Sequence, residues 1–193
     1  MTLRSIWTAV RLMLLSSLVL GVAYTFLITG VATAVFPQQA AGSMVTFHGR
    51  VVGSRLIGQE FTSPGFFWGR PSATAPAYNA ASSAASNLGP TNALLIAHVK
   101  ARLKAFLRAN PGVKASQVPL SLLESSGSGL DPDITPAAAL IQVPRVAQAD
   151  HLSPSRLRAL IHQYTKGRFL GIFGHSYVNV LELNLAVQGL SRP

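Results

Sequence analysis

The sequence predicts an α+β protein, with a single N-terminal transmembrane helix followed by one mixed α/β extracytoplasmic domain. Three observations carry this reading. Leu12 to Phe36 is an apolar run without a charged residue. Arg4 and Arg11 precede it, and no Lys or Arg follows until Arg50. Beyond Phe36 the apolar pattern changes between helix and strand periods, as one mixed domain requires. The expected boundaries are a cytoplasmic N-terminus over 1–11, the membrane helix over 12–36 and the periplasmic domain over 37–193.

At about 1.5 Å per residue, Leu12–Phe36 reaches roughly 37 Å, enough to cross a hydrocarbon core of about 30 Å with some tilt. Lipid offers the backbone no partners, so the segment must be helical. Ala32-Thr33-Ala34 has the small-x-small form of a signal cleavage site. The run exceeds the roughly 7–15 apolar residues of a signal core, which favours an anchor. Basic residues before the run and none just after it put Met1 in the cytoplasm and the bulk of the chain outside. In a bacterium that is a single-pass inner-membrane protein facing the periplasm.

The formal net charge is +10, charged residues make up 11% of the chain, and there is no cysteine. A basic surface suits anionic headgroups or acidic partner loops, or simply aids solubility. Nucleic acid is a poor candidate outside the cell membrane, and no recognition motif supports it.

Val45, Phe47 and Val51-Val52 predict a strand broken at His48-Gly49, with Ile57–Phe61 as its continuation after a turn. Phe66-Phe67-Trp68-Gly69-Arg70-Pro71 reads as a packed corner, or as an aromatic cluster at a membrane interface. Ser72 to Asn92 holds too little apolar side chain for a core element; its hydroxyls and amides bind a partner or order the loop. Ala93–Ala109 predicts a helix capped by Thr91 or Asn92 and stopped by Asn110-Pro111-Gly112. Leu95, Val99, Leu103 and Phe106 form its apolar stripe, and Lys100, Lys104 and Arg108 a solvated row.

Val118–Ser125 reads as a helical turn, Ser126–Gly129 as a flexible loop and Asp131-Pro132-Asp133 as a turn. Thr135-Pro136 and Ser153-Pro154 each open a helix, with a hydroxyl cap before a proline at the first helical position. Pro144 ends or kinks the first near Val143, and Arg145–Ala149 adds a further turn. Leu157, Leu160, Ile161 and Tyr164 line the second, which ends near Gly167. Phe169–Phe173 reads as a short strand. Val178–Val187 changes alternation phase, which means a bulge or a strand passing into a helix.

Catalytic signatures are missing from the sequence. It has no Gly-rich phosphate loop ending in Lys-Ser or Lys-Thr, and no Gly-x-Ser-x-Gly elbow. His48, His98, His151, His162 and His175 are scattered. Asp131 and Asp133 sit in turn-and-cap surroundings rather than as an acid–base pair. The membrane run holds no Asp, Glu, Lys, Arg or His to mark an ion path, and one helix cannot enclose one. Such a chain reads as a subunit.

Eight stretches, in order, resemble the C subunit of the bacterial Kdp potassium-transporting ATPase. They are Gly53–Gln59, Gly69–Thr74, Tyr78-Asn79, Ser86–Asn92, Ser126–Pro132, Ile134–Ala139, Pro144–Ala147 and Val178–Leu185. The resemblance implies an accessory, non-catalytic subunit of a heteromeric inner-membrane pump. Its partners would be a channel-like potassium-binding subunit, a P-type ATPase subunit and a small membrane peptide. The implied role is to stabilise assembly and to act as a catalytic chaperone that raises the ATPase subunit's affinity for ATP. No cofactor of its own is implied; ATP enters through the ATPase subunit. Ser83, Ser86 and Asn87 are the nucleotide-site candidates by resemblance, although relatives' Ser-Gly-Gly-Ser-Asn reads Ser83-Ala84-Ala85-Ser86-Asn87 here. Gly174-His175-Ser176-Tyr177 departs from the family's Gly-Glu-Pro-Arg or Gly-Gln-Pro-Val. Trp68, Gly69, Arg70, Pro71, Asn87 and Asn92 are the partner-interface candidates. With the domain outside and ATP inside, any effect on ATP affinity acts through conformation. The alternative is a membrane-anchored periplasmic binding module or enzyme acting alone.

Overall fold

The computed structural model describes residues 2–191 and divides into two compact units, Met1–Met44 and Val45–Pro193. The first unit is dominated by α1, a continuous helix of 33 residues from Leu3 to Val35. It starts earlier than the apolar run because Thr2 caps it, its hydroxyl accepting the Ser5 N–H at 3.4 Å. Arg11 also folds over the Trp7 ring, 5.1 Å from its centroid. A nucleated helix extends cheaply through such polar turns. At Phe36 the backbone leaves helical space (φ −129°, ψ 56°), and Pro37–Ala40 forms a short α2.

The middle of α1, Ser17–Ala23, is wound as a π-helix, which hydropathy alone does not signal. Beyond it, hydroxyls bond back into the helix: Thr29 Oγ1 donates to Thr25 O and Thr33 Oγ1 to Thr29 O, both at 2.8 Å. Polar side chains are satisfied this way where no water is available.

The second unit opens inside β1 (Met44–Phe47), which forms a hairpin with β2 (Arg50–Ser54). Its two-residue turn, His48-Gly49, has both residues at positive φ, 48° and 74°, as a tight hairpin turn needs. Ile57–Phe61 does not continue the sheet. Instead the Gly58 N–H bonds Leu130 O at 2.8 Å, and Gln59 donates its side-chain amide to Val52 O at 2.9 Å. Those tertiary partners displace a third strand.

No regular element then appears until α3, Ala93–Ala109. Asn92 is its cap, Oδ1 accepting the Leu94 N–H at 2.8 Å. Phe106 is buried, Val99 and Leu103 pack on the core, and Lys100, Lys104 and Arg108 face solvent as expected. Single 3₁₀ turns follow at Ala115–Gln117 and Leu120–Leu122. Next come β3 (Asp133–Ile134), α4 (Pro136–Leu140) and α5 (Val143–Ala149). Pro144 begins α5 rather than kinking a longer helix. Proline in a first turn forfeits no intrahelical bond.

Helix α6 (Pro154–Tyr164) is followed directly by β4 (Thr165–Lys166), β5 (Tyr177–Asn179) and α7 (Val180–Ser191). So α6 ends before Gly167, because Thr165 and Lys166 pair with Val178 and Tyr177 of β5. On the other edge of β5, Asp133 and Ile134 of β3 pair with Asn179 and Val178. The sheet order is β3-β5-β4, antiparallel. The phase change after Val178 marks a strand passing into a helix. Asn179 makes the junction: its Oδ1 accepts the Glu182 N–H at 3.1 Å. The Thr135 and Ser153 caps form as predicted, accepting from Ala138 and Arg156. Phe67, Val143, Val146, Leu157, Leu183 and Val187 lie at the centre of the core, fully buried.

Candidate functional site

The candidate interface residues Trp68 to Pro71 sit at a corner whose backbone is held by side chains instead of a strand. Asn184 of α7 accepts the Phe67 N–H at 2.7 Å and donates to Phe67 O at 2.9 Å. Gln142, between α4 and α5, does the same for Trp68, at 2.8 and 3.2 Å. Each amide thus stands in for a neighbouring strand. Arg145 of α5 closes the arrangement. Only 6% exposed, it donates to Pro64 O (2.5 Å), Phe66 O (2.9 Å), Asn110 Oδ1 (3.0 Å) and Gln142 Oε1 (2.6 Å). Its guanidinium carbon lies 4.1 Å from the centroid of the Trp68 ring, a cation–π contact in a desolvated place. Burial lowers its pKa to about 10, so it stays charged at neutral pH. The cage contains carbonyls and amides and no carboxylate. A fixed cation here orders three separate chain segments at once.

Past the corner, Arg70 pairs with Asp131 at 2.9 Å and reaches Ser125 O at 3.4 Å. Gly69 is close-packed: a Cβ there would stand 2.9 Å from the Tyr78 hydroxyl. That hydroxyl donates to Arg70 O. Burial, helped by the Asp131 and Glu60 charges, raises the Tyr78 pKa to about 12, so it remains a donor. An open cleft of about 390 Å³ adjoins the corner, lined among others by Glu60, Trp68, Arg70, Tyr78 and Arg102.

The long segment beyond is stitched by hydroxyls. Ser72 Oγ donates to Gly129 O at 2.7 Å and accepts the Tyr78 N–H at 3.0 Å. Thr74 Oγ1 donates to Pro76 O at 2.8 Å and accepts the Asn79 N–H at 2.9 Å. Ser126–Gly129, expected as a free loop, packs against this segment. Ser126 is buried, and Ser128 O accepts both the Ala84 N–H (3.0 Å) and the Ser83 hydroxyl (2.9 Å). Gly129, at φ 68°, has Ala84 O within 2.7 Å of where a Cβ would lie. Close approach of two backbones is what makes that loop fixed.

The nucleotide-site candidates are therefore placed as follows. Ser83 is spent on Ser128 O. Ser86 and Asn87 are exposed, Asn87 in the left-handed region at φ 52°. Asn92 caps α3, whose first turns leave Leu94 and Ile96 exposed beside it. Asp131 and Asp133 do not work as a pair: Asp131 bonds Arg70 and, through Oδ1, the Asp133 N–H at 3.0 Å. Asp133 meets the Asn179 amide at 3.1 Å. Burial raises the Asp133 pKa, offset in part by that bond.

The family model described as K+-transporting ATPase, c chain, matches residues 6–189. The chain belongs to that family. A potassium-transporting ATPase KdpC subunit of Dechloromonas aromatica is 49% identical over 185 residues, covering 95% of this chain and 96% of the relative. One from Sorangium cellulosum is 52% identical over 182 residues, covering 94% and 95%. One from Methylococcus capsulatus is 49% identical over 183 residues, covering 94% and 96%.

Sequence reasoning missed Arg145, Gln142 and Asn184 as the residues that build the corner. A signal existed: each is a polar residue set in an apolar run, and such residues are rarely buried without a specific partner.

Proposed function

We propose that this chain is the accessory subunit of an ATP-driven potassium uptake complex. It holds a channel-like subunit and a P-type ATPase subunit together and supports the ATPase subunit's affinity for ATP through conformation. The anchor is single-pass with the N-terminus in the cytoplasm and the α+β unit in the periplasm. The observation that carries the reading is that the Ser72, Thr74 and Ser83 hydroxyls are committed to holding the loops after Trp68 in place, while Asn87 and Asn92 are exposed and Trp68 and Arg70 half-buried. A surface so pinned is pre-organised for docking, because little order is left to impose on binding. The exposed Leu94 and Ile96 add apolar area to that surface.

The test is affinity purification of the full chain in mild detergent, with identification of the proteins that come with it. Two large membrane subunits are expected. Leu94→Glu with Ile96→Glu should lower their recovery several-fold while the chain itself is recovered normally. Purification of the chain alone, and normal growth of a deletion strain at very low potassium without other uptake systems, would overturn the reading. A label accessible at the C-terminus only from the cell interior would reverse the topology.

The cleft beside the corner favours a second reading, an anchored binding module acting alone. It predicts a ligand that protects the isolated chain from heat, with no co-purifying subunits.

A further inference from the structure

Between β4 and β5 the chain folds into the loop Gly167–Ser176, and its tip is apolar and bare. Phe169 is 72% exposed, Leu170 74%, Ile172 73% and Phe173 62%. Elsewhere in this unit the exposed large apolar side chains among the described residues are more scattered. Four backbone N–H groups at the tip are bonded within it. The Phe169 N–H donates to Phe173 O (2.9 Å), Gly171 to Arg168 O (3.1 Å), Ile172 to Phe169 O (3.2 Å) and Phe173 to Phe169 O (3.0 Å). We propose that this tip inserts into the interfacial layer of an anionic lipid bilayer.

Four features favour lipid over a protein pocket. First, α1 is long and apolar enough to cross a membrane, and the unit follows it in the chain after the short connection 36–44. Second, Val45–Phe47, the first residues after that connection, line one surface depression with Tyr164 and Lys166. Lys166 is the root of the loop, so the loop departs from the edge where the chain enters the unit. Third, Arg168 and His175 flank the apolar residues, and Lys166 stands at the base, where Glu182 pairs with it at 3.6 Å. The Arg168 cation beside an apolar tip suits anionic headgroups. Fourth, a self-bonded backbone loses little when it leaves water and offers a protein partner few main-chain groups. The inference goes beyond the assembly role proposed above and requires only the anchor, whichever side the unit faces.

The chain has no cysteine, so Leu170→Cys and Ile172→Cys each accept one environment-sensitive fluorophore in the full-length protein. The protein is reconstituted alone into vesicles of mixed phosphatidylcholine and phosphatidylglycerol. Both labels should emit to the blue of the same label at exposed Ser82→Cys and be quenched several-fold more by nitroxide-bearing lipids. Omitting phosphatidylglycerol, or adding Arg168→Glu, should reduce that quenching several-fold. Equal, water-like emission at all three positions overturns the proposal. So does a blue shift seen only when the proposed pump subunits are added and untouched by lipid nitroxides, which would mean a protein pocket. Lack of co-purifying subunits would sink the assembly role and leave this result standing.

Discussion

The stretch Ser72–Asn92 is polar and stitched to its own fold, whereas Gly167–Ser176 is apolar at its tip and turned away from it. The first has no regular secondary structure, yet its Ser72, Thr74 and Ser83 hydroxyls bond chain segments far away in sequence or turns close by. The second is bonded to itself. Hydropathy states what a side chain prefers, not whether the fold has room for it. Each hydroxyl bond contributes only about 1 kcal/mol net, but several on one segment fix its path. An apolar tip with no place in the core is available to something outside the fold.

The difference can be tested on both sides. The largest effect is expected at the cage that holds the corner leading into the polar stretch. Arg145→Ala leaves the Pro64 and Phe66 carbonyls and the Asn110 amide oxygen without this donor, and should lower stability by about 3–5 kcal/mol. Denaturant unfolding of the full chain in detergent reads this; a loss below about 1 kcal/mol would mean the cage is decorative. Asn184→Ala unpairs both backbone groups of Phe67 and should lower stability by about 2–3 kcal/mol. An effect no larger than that of an exposed substitution would show that the corner stands without it.

Asp133 gives a smaller, pH-dependent effect. Its pKa is higher in the folded chain, so the contribution to stability is full in acid and is lost as pH rises through the raised value. Asp133→Asn should therefore gain a few tenths of a kcal/mol at neutral pH after solvent screening, and nothing in acid. Melting temperatures across pH decide it, and a gain independent of pH counts against the assignment. The smallest effect belongs to the apolar loop: Leu170→Ser should leave stability within about 0.5 kcal/mol. A clear loss in detergent would show that the tip packs on its own unit after all.

Local signals were legible wherever neighbours along the chain decide the outcome. The Asn92, Thr135 and Ser153 caps, the His48-Gly49 turn and the stripe of α3 all follow from a few adjacent residues. The misreadings lie where remote partners decide. Ile57–Phe61 and Phe169–Phe173 have strand-like composition, but one bonds Leu130 and Val52 and the other bonds itself. Ser126–Gly129 looks free by composition and is held by Ser83 and Ala84. Candidate residues Trp68 to Pro71 were visible as a motif; that Arg145 supports Trp68 from 77 positions along the chain was not.

By itself the sequence determined the membrane anchor, the α+β class, most helix starts and the family. Those depend on periodicity, caps and ordered motifs, which are properties of short stretches. Only the tertiary structure decided which polar residues are buried, which loops are stitched and which apolar tip is left bare. Those outcomes depend on groups that meet across the fold, and composition does not say which groups will meet.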